Sequence, residues 1–305
     1  MTKQQYKKAV LELIFAGAIW GSSFTLVKWA LSDFSSIGLI FFRFILAVLI
    51  GEVLYFIFNR KNYFNTLTDF WISIPAGVSL GLALIFQTHG LSYTTATNSS
   101  FITSLYVVLL PFVSWFMLKS KLHAHHIYLS VLAFIGMGFL LNINSASDLK
   151  FNFGDLITLG AALASTFHIL FVGSGSKKMK DAFRFNTFQT FWSWITVIPF
   201  LVLQENGILF STESQLISIN PKLQSILSVV GLALFVSLGA FYLQIKAQKV
   251  LSNTTASMLC LLEGPYSFLF ASVFLSEKLS PIQFLGAFII LFSSALSVYM
   301  ERPQN

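Results

Sequence analysis

Ionisable side chains within long apolar stretches are the groups of this chain most able to do chemistry, and Glu263 and Arg43 are the clearest examples. A charge at membrane depth is costly and normally faces a cavity or a partner. Gly264 and Pro265 follow Glu263 directly, and a proline removes a backbone donor and disrupts the preceding helical turn. A carboxylate beside such a helix break predicts a site for a cation or a proton. The alternative is a structural carboxylate that pairs with Arg43 or is kept protonated.

Arg43 lies about two helical turns from the end of a stretch made otherwise of Phe, Ile, Leu and Ala. Two interpretations are open at this point. Either Arg43 lines a cavity and attracts an anionic group such as a carboxylate, or it locks two helices together through an ion pair. Lys28 lies about one turn from the end of its stretch and Glu52 about two turns from the other end of the stretch that holds Arg43, so we expect both to reach toward the interface.

Uncharged residues supply further candidates. Trp20 and Phe24 share a helical face, and between them Gly21, Ser22 and Ser23 allow a close helix approach and expose backbone to a cavity. This face is predicted to form an aromatic wall for a substrate, the alternative being ordinary packing.

Histidines are the next candidates, because their side chains titrate near neutral pH. His168 is a candidate for a proton relay and His89 a weaker one, the alternative in both cases being a hydrogen bond between helices. His123, His125 and His126 fall in a connection and are predicted to be solvated. The single cysteine, Cys260, excludes an internal disulfide. No spacing of ligand residues suggests a metal, and no cofactor is expected.

Composition places these residues in a membrane. Of the 305 residues, 55% are hydrophobic and only 10% are charged, against roughly 25% charged in a soluble domain. Ten apolar stretches, each close to the roughly 20 residues that cross a bilayer, predict helices, because they lack the alternation of lipid-facing strands. Their approximate bounds are 10–31, 37–58, 70–92, 98–118, 126–143, 154–173, 186–204, 225–246, 255–276 and 282–300.

The two halves of the chain repeat each other. Without a gap, the segment that starts at Gln87 aligns with the segment that starts at Gln244, and Tyr106 then falls on Glu263. A weaker match places GAIWGSSF, from Gly17, beside GAALASTF, from Gly160. Gln87 and Gln244 can thus supply hydrogen bonds from both halves to a substrate or to each other. Repeats of this kind are typical of secondary transporters.

The distribution of basic residues predicts the topology. If the N-terminus is cytoplasmic, the Lys and Arg residues of the connections fall inside, except Lys150, Lys222 and Lys278, which fall outside. The net charge of +7 is therefore a topology signal and does not indicate nucleic-acid binding. With five spans in each half, residues 1–147 and 148–305 form two inverted repeats of an all-α membrane protein with ten transmembrane helices.

Four segments carry a resemblance to a known family. They are WGSSF at Trp20, the Arg43-Phe44 pair, GLSYTTATNSSFITSLYVVLLP from Gly90, and EGPYSFLFASVFLSEKLSPIQFLGAFIIL from Glu263. Together they resemble the EamA type of the drug/metabolite transporter superfamily. Lys119-Ser120-Lys121 departs from the acidic residue common in the family, which Glu277 keeps in the second half. The resemblance implies ten helices in two inverted halves and the movement of small metabolites, often outward.

These observations predict a transporter and not an enzyme, since no nucleophile and base are paired. Arg43 would hold an acidic group, Glu263 an ammonium group or a proton, and Trp20 an apolar group. The substrate-binding candidates are Trp20, Ser23, Phe24, Arg43, Gln87, Tyr106, Gln244 and Glu263, with Glu263 and His168 as coupling candidates.

The favoured function is export of an amino acid or related metabolite by alternating access across a bacterial inner membrane, with both termini cytoplasmic. Import of a vitamin, nucleoside or other cofactor precursor, export of a cationic drug, an intramembrane enzyme and a structural scaffold remain alternatives. The partners expected are a small-molecule substrate and the lipid bilayer, as a monomer or a homodimer.

Overall fold

The computed structural model describes residues 2–91, 93–94, 96–119, 123–143, 152–206, 216–275 and 280–303, apart from a few side chains that include that of Phe24. Within these ranges every regular element is a helix, and one isolated β-bridge joins Phe34 to Ile217. The bounds in the first half are α1 Lys3–Ala30, α2 Ser36–Asn59, a 3-10 turn Arg60–Asn62, α3 Thr68–Ile72, α4 Ile74–Leu91, α5 Ala96–Thr103, α6 Tyr106–Leu118 and α7 Ala124–Leu140. Those in the second half are α8 Phe153–Ser176, α9 Ala182–Glu205, α10 Leu223–Gly231, a π-helical segment Leu232–Ala240, α11 Phe241–Gln248, α12 Asn253–Cys260, α13 Glu263–Leu275 and α14 Pro281–Glu301.

Polar side chains cap the first free N–H groups of six of the described helices, α1, α2, α8, α9, α12 and α14. The Asn152 side chain accepts a hydrogen bond from the Asp155 N–H, and the Asp155 carboxylate accepts one from the Asn152 N–H. Ser280 and Gln283 form the same reciprocal cap in front of Pro281, whose fixed φ suits a first helical position. The apolar runs between the caps then continue as helices, because a helix pairs most of its backbone groups within one segment.

Six helices in the described ranges are long and apolar enough to cross a membrane. They are Lys3–Ala30, Ser36–Asn62, Ser99–Leu118, Phe153–Ser176, Leu223–Gln248 and Pro281–Glu301, and Ala124–Leu140 is a shorter apolar helix. The predicted span 70–92 corresponds to α3 and α4, and the predicted span 255–276 is divided between α12 and α13.

Two helices are broken at positions that the sequence repeat equates. The first break separates α5 from α6 at Ser104 and Leu105, and the second separates α12 from α13 at Leu261 and Leu262. The second break falls in the turn before Pro265, where the proline was predicted to disrupt the helix. Pro265 has no N–H to bond the Leu261 carbonyl four residues earlier, so the helix opens there, and the Gly264 N–H bonds that carbonyl instead at 3.2 Å. The carbonyl is therefore not left free.

Helices from the two halves pack on each other. Helix α4 packs against α8 and α9, whereas α1 packs against α10, the π-helical segment, α11 and α13. Helix α7 packs against α14, and α2 against α9. The shared core includes fully buried Leu13, Phe44, Leu110, Leu170 and Leu232. These contacts leave a space at the centre, where the two broken helices meet α1, α2 and α4.

The connection between α1 and α2 is clamped to the segment before α10. The Asp33 carboxylate accepts hydrogen bonds from the Ser225 hydroxyl at 2.5 Å, the Ser218 hydroxyl at 3.0 Å and the Lys222 N–H at 3.2 Å. The Ser225 bond contributes most to a pKa of about 2 for Asp33. Because this value lies below the usual aspartate pKa, the bonds stabilise the fold above about pH 4, and that stability is lost as the pH falls toward 2.

Candidate functional site

A cavity of about 340 Å³ lies at the centre of the helices, within the range of roughly 300–1,000 Å³ typical of ligand sites. Its lining contains every candidate side chain that the structure describes: Trp20, Ser23, Arg43, Gln87, Tyr106, His168, Gln244 and Glu263. Phe24 lies on α1 together with Trp20 and Ser23, but its side chain is outside the described part of the structure. Residues remote in sequence are thus brought to one cavity. Lys28 is exposed and does not line it, and Glu52 pairs with Arg184 instead.

Arg43 points into this cavity with little support from other charges. Its side chain is 8% exposed, and its Nε–H donates to the Ser237 hydroxyl at 2.8 Å. No carboxylate among the described residues lies within 4.0 Å of its guanidinium. A neutral hydroxyl fixes the direction of the guanidinium without neutralising it, so its charge stays available to an anion in the cavity.

Polar residues of α9 hold the backbone that presents Ser237. The Asn186 amide donates to the Ser237 carbonyl at 2.9 Å and to the Leu238 carbonyl at 3.1 Å. Gln189 in turn donates to the Asn186 amide oxygen at 3.0 Å, and both side chains are fully buried. Ser237 and Leu238 belong to the π-helical segment, whose wide turns are frequent at functional sites. Asn186 thus positions Arg43 through Ser237.

Asn186→Leu is therefore expected to weaken binding of a carboxylate-bearing ligand, with a smaller effect on its amide analogue. The variant removes the donor to two buried carbonyls, so we also expect a loss of about 1–3 kcal/mol in the free energy of unfolding. Ligand-dependent thermal shifts measure the first effect and denaturant unfolding the second. Thr190→Val is the matched control, because the Thr190 hydroxyl bonds only the carbonyl of Asn186 on its own helix at 2.9 Å. Equal weakening of both ligands would contradict a positioning role.

Glu263 and Tyr106 occupy equivalent places in the two repeats. Glu263 is the first residue of α13 and Tyr106 the first of α6, directly after the two helix breaks. Both line the cavity. Among the described residues, no side chain donates a hydrogen bond or forms an ion pair with the Glu263 carboxylate. The expected alternative of an Arg43–Glu263 ion pair is thus not formed in this structure, although both groups face the same space.

The two repeat-related glutamines do not bond each other. Gln244 donates to the Gln248 amide oxygen at 3.0 Å, and Gln248 donates to the Ile169 carbonyl at 2.9 Å. This arrangement holds Gln244 in place at the end of the cavity where α8 and α11 meet. Gln87 is partly buried on α4 and faces the cavity from the other half.

Aromatic side chains form another part of the cavity wall. The rings of Trp20 and Phe241 are 5.5 Å apart, and the His168 ring meets Phe241 edge-on at 5.6 Å. The Trp20 indole N–H is buried without a hydrogen-bond partner among the described residues. A buried indole usually has an acceptor, so this N–H is a donor that a ligand in the cavity can use. His168 faces Gln189 of the Asn186 network.

Several lining residues escaped the sequence analysis: Ser99, Ser100, Thr103, Ser165, Phe241 and Cys260. The repeat could have identified two of them. Thr103 and Cys260 are equivalent under the alignment that pairs Gln87 with Gln244 and Tyr106 with Glu263, and both members of all three pairs line the cavity. Ser237 was missed because it shows its role only through contact with α2. Within the described ranges, no cluster of three or more His, Cys, Asp or Glu residues suggests a metal site.

Comparisons with known proteins agree with this architecture. Residues 7–142 and 152–299 each match the model of the EamA-like transporter family. An "Uncharacterized transporter" of Archaeoglobus fulgidus is 34% identical over 283 residues, which cover 93% of this chain and 83% of that protein. The "Uncharacterized transporter YetK" of Bacillus subtilis is 23% identical and covers 97% of this chain and 88% of its own length. A solved crystal structure superimposes with a TM-score of 0.72 at 17% identity, over 97% of this chain and 98% of that one, which shows a shared fold.

Proposed function

The chain belongs to the EamA-like transporter family, and on that basis we propose that this integral membrane transporter carries a small zwitterionic metabolite, such as an amino acid, through the central cavity. One observation carries the proposal. Arg43 and Glu263 line the same cavity, and neither is paired with an opposite charge among the described residues. A ligand with both a carboxylate and an ammonium group satisfies both charges at once, whereas a ligand with one charge leaves the other unsatisfied.

We further propose that residues 1–147 and 148–305 are two inverted repeats of five spans each. The helix breaks fall at equivalent positions, and the packing of α4 on α8 corresponds to that of the π-helical segment and α11 on α1, each contact joining one half to the other. The family model also matches the two halves separately. An odd number of spans in each half places the second repeat upside down relative to the first.

The repeats provide the means of alternating access. The cavity extends to Leu31 and Ser36, at the end where α1 leads into α2. At the opposite end, Gln248 ties α11 to the Ile169 carbonyl, and Glu301 accepts hydrogen bonds from the Ser252 N–H at 2.6 Å and hydroxyl at 2.9 Å. With a cytoplasmic N-terminus in a bacterial inner membrane, this is an outward-facing state. Substrate transfer requires these inner contacts to open as the outer end closes. We infer export because the family resemblance favours it.

Ligand binding tests the substrate class directly. Thermal unfolding of the purified protein is measured against amino acids, their amides, their N-acetyl derivatives, nucleosides, vitamins and cationic drugs, because a ligand of the native state raises its stability. We expect stabilisation by the zwitterions and not by derivatives that lack either charge. Stabilisation by cations without an acidic group would contradict the proposal and favour a cation exporter. Flux of the stabilising ligand in proteoliposomes then separates a transporter from a scaffold.

The proposed topology predicts which ends a membrane-impermeant thiol reagent can reach. In a Cys260→Ser background, a cysteine at Asn62 is expected to react only after cells are opened, and one at Asn220 in intact cells. Both positions are exposed and both changes replace asparagine, so the pair is matched. Ser176, at the same predicted surface as Asn62, is unsuitable for this test, because it is fully buried and a cysteine there would be shielded from the reagent on either side. Labelling of the Asn62 variant in intact cells would reverse the orientation.

A further inference from the structure

A second cavity of about 220 Å³ adjoins the central one. Five residues form walls of both: Gln87, Ser100, Thr103, Tyr106 and Glu263. Beyond them the second cavity is bounded by Met137 of α7, by Leu141 directly after it, by Ser104 at the first helix break, and by Gly264, Ser267 and Phe268 of α13. We call it the side compartment. Apart from Glu263 at its junction with the central cavity, the described lining of the side compartment carries no charge. We call the apolar side chains of Met137, Leu141 and Phe268 its far wall.

The repeat shows that the fold does not require this space. Under the alignment of Tyr106 with Glu263, the positions of Gly264, Ser267 and Phe268 correspond to Val107, Leu110 and Pro111 in α6. The side chains of Val107 and Leu110 are fully buried, so the first half is filled where the second half is open. Ser267 is the small residue that leaves this space, because the equivalent Leu110 fills it in the first half. The space beside Gly264 is already taken by Met137 and Leu140. Packing in proteins ordinarily removes such voids, which makes a ligand group the natural occupant.

We propose that the side compartment binds the apolar side chain of the substrate. This inference rests on the proposed function, because it takes the ammonium group to lie at Glu263 and the carboxylate at Arg43. A side chain attached between those two groups then leaves the central cavity at the Glu263 junction and meets Met137, Leu141 and Phe268. The substrate class is accordingly an amino acid with an apolar side chain, because a polar group that reached Met137, Leu141 and Phe268 would lose its hydrogen bonds to water without replacement.

A homologous series tests the proposal. Binding of glycine, alanine, 2-aminobutyrate, norvaline and norleucine is measured by thermal shift on the full-length protein. Each buried methylene is expected to raise the affinity by roughly fourfold until the compartment is full. Ser267→Leu, which copies Leu110 of the first half, is expected to abolish this dependence and leave glycine and alanine bound as in the wild type. Ser165→Leu is the matched control: Ser165 lines only the central cavity, so this change should weaken all members alike.

Leu141→Ala provides an independent variant of opposite sign, should Ser267→Leu fail to fold. The smaller side chain enlarges the side compartment. The affinity should therefore continue to rise up to a longer member of the series than in the wild type. The proposal is overturned if the wild type binds the whole series with one affinity, or if Ser267→Leu keeps the wild-type dependence on chain length. In either case the zwitterion site itself would stand. Failure of the wild type to bind any amino acid would overturn the proposed function together with this inference.

Discussion

Arg43→Gln is expected to weaken binding of a carboxylate-bearing substrate by about 1.5–3 kcal/mol, which is roughly 10- to 150-fold in affinity. The substitution removes the charge-assisted bonds that the guanidinium would make to the substrate carboxylate. Arg43→Lys should also weaken binding, because an ammonium group lacks the planar fork that engages two oxygens. Its effect should be smaller than that of Arg43→Gln, because lysine keeps the positive charge. The amide analogue should bind the wild type and Arg43→Gln about equally, since it never used the charge. Isothermal titration with both ligands measures the difference.

The stability of the Arg43 variant distinguishes a role in ligand binding from a role in a structural ion pair. Since Arg43 has no carboxylate partner among the described residues, Arg43→Gln should not expose an unpaired buried anion, and the fold should tolerate it. Arg184→Gln is the matched control: Arg184 is buried, forms an ion pair with Glu52, and lies against the rings of Tyr63 and Phe188. That variant should lower the free energy of unfolding and leave ligand discrimination unchanged. If Arg43→Gln and Glu263→Gln each misfold but the double variant folds, Arg43 and Glu263 form a pair and the zwitterion proposal fails.

Glu263→Gln should produce a loss of similar size for ligands with an ammonium group, because the change keeps the shape of the side chain and removes its charge. An N-acetylated ligand should bind both proteins equally. If Glu263 also carries the coupling proton, net transport in proteoliposomes should lose its pH dependence while exchange of substrate across the membrane persists. Glu12→Gln is the matched control, because Glu12 pairs with Lys246 at 2.6 Å and does not line the cavity. Unchanged binding and an unchanged pH profile would return Glu263 to a structural role.

The sequence alone predicted the membrane environment and the family, and the family match confirms the second. Both are properties of composition and of local pattern. Continuous apolar stretches must satisfy their backbone internally and therefore form helices. The internal repeat is visible in the letters themselves, and it paired Gln87 with Gln244 and Tyr106 with Glu263 before any contact was known. The scarcity of charged residues at membrane depth also made the choice of candidates short, since each such charge needs a reason.

Only the tertiary structure decided what each of these side chains touches. The sequence did not decide whether Arg43 forms an ion pair or lines a cavity. Its contact with Ser237 depends on a π-helical turn that no local sequence pattern predicts. Gln244 bonds Gln248 and not Gln87, and the Leu261 carbonyl is bonded by the Gly264 N–H instead of being left free beside Glu263. The side compartment is open where Ser267 stands in place of the buried Leu110 of the first half. Hydropathy and repeats determine which segments become helices, but partners depend on the rotation and register of helices distant in sequence, and these follow from packing of the whole chain.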